Sequence, residues 1–147
     1  MLFLKIMAPR DTRTGQVLES MIPPALKQGG YTYTQQTLIG RRLGGSKHKI
    51  DFLVTAANGK QVAVSAKWQQ TSGTAEQKVP YEIICLADAV HKSQGKYEKA
   101  YLVLAGEGWK LKEFYLGKGL LSYLKNCEVV EVISLEGFVA KANQGKL

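Results

Sequence analysis

A chain of 147 residues, 45% of them hydrophobic, has the length of one ordinary domain and enough apolar material for a real core. No apolar run approaches the length that crosses a bilayer. The opening MLFLKIM is too short for a signal peptide and is not followed by a small-residue cleavage site, so a cytoplasmic location is expected. Twenty Lys and Arg against 12 Asp and Glu give a formal net charge of +8, which favours an anionic partner, nucleic acid first. Cys85 and Cys127 stand alone, with no CxxC or Cys/His cluster around them, and read as buried free thiols rather than a disulfide or zinc site.

Taken in order, residues 1–10 read as a leader, either an edge strand or loose. Asp11 or Thr12 is placed to cap a helix reaching Lys27 or Gln28, with Val17, Leu18, Met21, Ile22 and Leu26 on its apolar side. Pro23 and Pro24 predict a kink there, and Gly29-Gly30 the end. YTYTQQTLIGRRLGG favours an extended strand followed by a basic, glycine-containing turn, Arg41 to Lys49. Such a turn suits close approach to a phosphate backbone, and Arg41, Arg42, Lys47 and Lys49, with Lys78 further on, are the candidate contacts. His48 reads as a loop residue.

The stretch IDFLVTAANGKQVAVSAK, Ile50 to Lys67, places two apolar runs on either side of Asn58-Gly59 and predicts a β-hairpin. A hairpin brings a residue early in one strand beside a residue late in the next. Asp51 and Lys67 are therefore expected to meet at one end of the sheet. An acid and a lysine so placed can hold a divalent metal and a water beside a phosphate.

After the hairpin, Pro80 or Tyr81 opens a helix to Lys92, Pro80 suiting a first turn. Lys99 to Ala105 reads as a central strand covered on both faces. Leu111 to Leu124 reads as a helix weakened by Gly117 and Gly119, Glu128 to Ile133 as a strand, Leu135 to Ala142 as a short helix, and the tail NQGKL as frayed. Trp68 and Trp109 read as packing residues and His91 as helix surface. The expected fold is one α/β domain over 1–147, a mixed β-sheet flanked by helices.

Asp51 on one strand and Ser65-Ala66-Lys67 on the next, in this order of elements, resemble the PD-(D/E)XK nuclease superfamily over roughly Glu19 to Ile133. KWQQTSGTAEQKVPYEI resembles the segment after the lysine in restriction- and phage-type members. The resemblance implies a restriction-endonuclease-like αβββαβ core and a Mg²⁺-dependent endodeoxyribonuclease of restriction, homing or junction-resolving type, with Mn²⁺ as an alternative ion. It implies Asp51, and the main-chain carbonyl of Ala66, as metal ligands and Lys67 as the group that orients the attacking water. Ser65 departs from the pattern, which has Asp or Glu there. Three explanations stay open: Glu19 supplies the missing charge from the first helix, Ser65 contacts water, or the site is crippled and the chain is an inactive nucleic-acid-binding module. Gln69, two residues after Lys67, is the remaining polar candidate. A single-domain enzyme that cuts both strands of DNA is expected to act as a homodimer or homotetramer.

Overall fold

The computed structural model describes residues 16–71 and 73–147. The expected leader and the Asp11 or Thr12 cap lie outside them. Helix α1 spans 16–28. It is followed by strands β1 (Thr32–Arg41), β2 (Lys47–Thr55) and β3 (Gln61–Trp68), helix α2 (Ala75–Lys92) and strand β4 (Tyr97–Ala105). A short helix α3 (Lys112–Leu116), a 3₁₀ turn (Leu121–Tyr123), strand β5 (Val130–Ser134) and helix α4 (Leu135–Asn143) complete the chain.

The five strands form one sheet in the order β1-β2-β3-β4-β5. β1, β2 and β3 are antiparallel neighbours, while β3, β4 and β5 run parallel. α2 is the long crossover that a parallel β3–β4 pair requires. One layer holds α2 and α3 residues such as Val79, Ile83, Leu86 and Tyr115 against Ala63, Leu102 and Val132. The other holds Ile22 and Leu26 of α1 and Phe138 of α4 against Val54, Val64 and Tyr101. β4 is thus covered on both faces, as its unbroken apolar run predicts. Cys85 and Cys127 are buried free thiols.

Several boundaries differ from the sequence expectation. β2 starts at Lys47, so Asp51 lies inside the strand. α1 runs through Pro23 and Pro24 without a break. α2 begins at Ala75 and carries Pro80 inside it. Proline has no N–H to give the carbonyl one turn back, that of Glu76. The Tyr115 hydroxyl donates to this carbonyl at 2.8 Å and replaces the hydrogen bond that the proline cannot give. The predicted helix over 111–124 is broken instead: Gly117 terminates α3, and Lys118 takes a positive φ of 68°. The tail is tied down rather than frayed. Leu147 N–H donates to the Tyr31 hydroxyl at 2.9 Å, and Leu147 packs on the α1/α4 layer.

One irregularity positions the site. Alternation puts residues an even number apart on the same face of a strand. Yet Tyr33 and Phe52 pack into the α1/α4 layer, whereas Ile39 and Ile50 pack into the α2 layer. β1 and β2 therefore turn over together. The pairs Gln35–Phe52 and Thr37–Ile50 bracket the inversion, and Gln36 at its centre has φ 48°, opposite Asp51.

Candidate active site

β2 pairs with β3 only as far as Phe52–Val64. Beyond that pair the strands part. In the gap the Asp51 carboxylate does what a strand carbonyl does elsewhere: its Oδ2 accepts the Ala66 N–H at 2.7 Å. Its Oδ1 accepts from Gln36 Nε2 at 3.5 Å. Asp51 is half-buried, and burial raises its pKa above the ordinary aspartate value. The Ala66 N–H, the Lys67 charge and the Gln36 amide offset that rise only in part, and the nearby Glu82 charge adds to it.

Lys67 is half-buried one residue on from Ala66, and it alternates with Ser65 and Ala63 onto the α2 side. Its positive charge acts on both Asp51 and Glu82. The aspartate and the lysine come from adjacent strands and lie within electrostatic reach of each other, without a direct ion pair between them. Ser65 is only 4% exposed and adds no charge.

Glu82, in the middle of α2, is the residue the sequence reading passed over. It is 2% exposed. Its Oε1 accepts from Arg42 Nη1, and its Oε2 lies 3.3 Å from His48 Nε2. Burial works against its ionisation, but the His48 and Arg42 hydrogen bonds and the Lys67 charge hold its pKa down at about 2. Two carboxylates within electrostatic reach of one lysine are thus pushed in opposite directions. A usable signal was in the sequence: Val79, Ile83 and Leu86 mark the buried stripe of α2, and Glu82 falls on it. An acid on an apolar stripe is unusual unless paired.

The remaining candidates are dispersed. His48 is not a loop residue but a buried strand residue, 0% exposed, and its Nδ1 has no partner among the described residues. Arg42, expected to face phosphate, is turned inward onto Glu82. Arg41 donates to the Gly45 carbonyl at 2.8 Å and shapes its own turn, which Gly44 N–H ties to the Tyr81 hydroxyl of α2 at 3.3 Å. Lys47, Lys49 and Lys78 are exposed. Gln69 is buried away from solvent: its Nε2 donates to the Gly108 carbonyl at 2.8 Å and reaches Glu76 Oε1 at 3.4 Å. It clamps the loop after β3 onto the loop after β4. Glu19 is exposed on α1, whose buried residues Ile22, Ala25 and Leu26 belong to the layer opposite α2. Among the described residues no three His, Cys, Asp or Glu side chains gather as a metal cluster.

A mixed sheet that opens to present an aspartate and a lysine, under a helix carrying a second carboxylate, is the architecture of a restriction-endonuclease-like α/β domain. A family model described as a PD-(D/E)XK nuclease superfamily domain matches residues 10–146, and the chain belongs to that superfamily. No curated protein and no solved structure gives a significant match. Nucleases of this superfamily generally use divalent metals. The donor chemistry here fits a hard cation: Mg²⁺ is commonly held by one or two carboxylates with other oxygens completing its shell, and Asp51 is a half-exposed carboxylate. No helix of the described residues is long and apolar enough to cross a membrane.

Proposed function

We propose that the protein is a divalent-metal-dependent endodeoxyribonuclease, using Mg²⁺ or Mn²⁺, that hydrolyses DNA phosphodiester bonds as a homodimer or homotetramer. The observation that carries this reading is the Asp51 carboxylate bonded to the Ala66 N–H, one residue before Lys67, where β2 and β3 part. Asp51, with the Ala66 carbonyl, would hold the ion. When bound, the ion supplies charge neutralisation on the scissile phosphate and acidifies water. The Lys67 ammonium orients the attacking water and offsets charge that builds on the phosphate oxygens. Glu82 keeps a negative charge behind Lys67, from the helix rather than from the strand position that Ser65 occupies. A carboxylate at position 65 would add a further negative charge on the face α2 covers, so serine there is compatible with Glu82. Lys47 and Lys49 at the start of β2 and Lys78 on α2 bind backbone phosphates, and Arg41 braces the basic turn that precedes β2. Glu19, exposed on α1, is a further acid within this proposal, tested by Glu19→Gln.

A second reading, an inactive DNA-binding module, is favoured by Ser65 alone. The two are separated by incubating supercoiled plasmid with the protein and Mg²⁺, Mn²⁺ or EDTA. Nicked and linear products with either metal and none with EDTA support the nuclease. Salt-sensitive binding without metal-dependent product supports the module.

A further inference from the structure

A glutamine with φ 48° inside a paired strand is uncommon, because only glycine, and to a lesser degree Asn and Asp, enters this region readily. Such conformations persist where surrounding structure enforces them, and they cluster at functional sites. Gln36 sits where both neighbouring strands reverse their faces, opposite Asp51. The reversal brings Thr34 and Thr37 onto one side, where their hydroxyls meet at 2.6 Å. An unbroken strand would hold residues three apart on opposite faces. The same reversal turns Asp51 out of the regular alternation and into the gap beside β3, onto the Ala66 N–H.

We propose that Gln36 is a positioning residue for Asp51. Its left-handed backbone inverts β1 and β2 at the level of the aspartate, and its amide steadies the second carboxylate oxygen, so that Asp51 stands beside Lys67. This rests on the nuclease reading for its purpose, though its geometry is measurable without metal or DNA. A β-branched side chain disfavours positive φ most strongly, whereas glycine accepts it freely. Gln36→Val should therefore straighten the strand and turn Asp51 away, and Gln36→Gly should keep the inversion.

The test is amide hydrogen exchange of the full chain without metal, followed by Mn²⁺ titration by calorimetry. In Gln36→Val the Ala66 amide should exchange about tenfold faster or more while Ala63 and Leu102 keep their protection. Its Mn²⁺ affinity should fall about tenfold while the rest of the sheet stays protected, a combination that general destabilisation would not produce. Gln36→Gly should stay within about threefold of the wild type on both readouts. Should Gln36→Val not fold, Gln36→Ala serves, with a several-fold faster Ala66 exchange expected. Ala66 protection equal to wild type in a folded Val or Ala variant overturns the proposal. Wild-type protein that neither binds Mn²⁺ nor cuts DNA sinks the nuclease reading instead, and the exchange result still decides whether Gln36 sets the Asp51 geometry.

Discussion

Two clusters of lysine and glutamate lie on this sheet, and they behave differently. At the margin of β4 and β5, Glu131 Oε1 meets Lys99 at 3.2 Å and Lys141 at 3.3 Å, with both lysines over the ring of buried Tyr101. Its side chain is 36% exposed, so water screens the pairs. Where β2 parts from β3, Glu82 of α2 is buried with Arg42 and His48, and Asp51 and Lys67 are half-buried. The first cluster is made of regular strand and helix positions. The second exists because a strand inverts, a ladder stops early and a turn is pinned to a helix. Residue types alone do not make a site. Burial and an interrupted backbone are what set the second cluster apart from the first.

The largest effects should come from the opening itself. Asp51→Asn and Lys67→Ala should each cut the DNA cleavage rate by about 10³-fold, with folding and salt-sensitive DNA binding retained. Equal rates in a single-turnover assay would reduce that region to the standing of the β4–β5 cluster.

Next comes Glu82. Its pKa falls from 4.5 unfolded to about 2 folded, so its stabilisation is fully present above pH 4.5 and is lost as pH drops towards 2. The shift corresponds to roughly 3 kcal/mol. Urea unfolding at pH 7 should show Glu82→Gln destabilised by about that amount, with a smaller acid-induced loss than wild type between pH 5 and 3. Arg42→Ala should destabilise comparably, since it leaves a buried carboxylate short of its partner. A stability profile of Glu82→Gln parallel to wild type would contradict the pairing.

Smaller still is the basic turn. Lys47→Ala and Lys49→Ala should leave the cleavage rate at saturating DNA unchanged. Each should lower the slope of log affinity against log salt by about 1. The smallest effect belongs to the exposed cluster: Glu131→Gln should change stability by less than about 1 kcal/mol and activity not at all.

How much of this was legible in the chain follows from which forces are local. The Asn58-Gly59 turn and the flanking alternation fix the hairpin, and with it the placing of Asp51 and Lys67 on adjacent strands. The apolar run of β4 carries its own burial. Glu82 was hidden by Pro80, which argues for a helix start just before it and makes it look like a first-turn residue. The Tyr115 hydroxyl that lets the helix begin earlier lies on α3, far along the chain. His48 read as loop because its neighbours are basic and polar, although it shares strand parity with buried Ile50. The face inversion at Gln36 has no propensity signal, since glutamine does not advertise a positive φ.

The most direct measurement is anomalous diffraction from crystals soaked in Mn²⁺. The account predicts a peak within coordination distance, about 2.0–2.6 Å, of an Asp51 carboxylate oxygen, with Lys67 beside it. A Mn²⁺ peak bound elsewhere, with Asp51 bare, would contradict it.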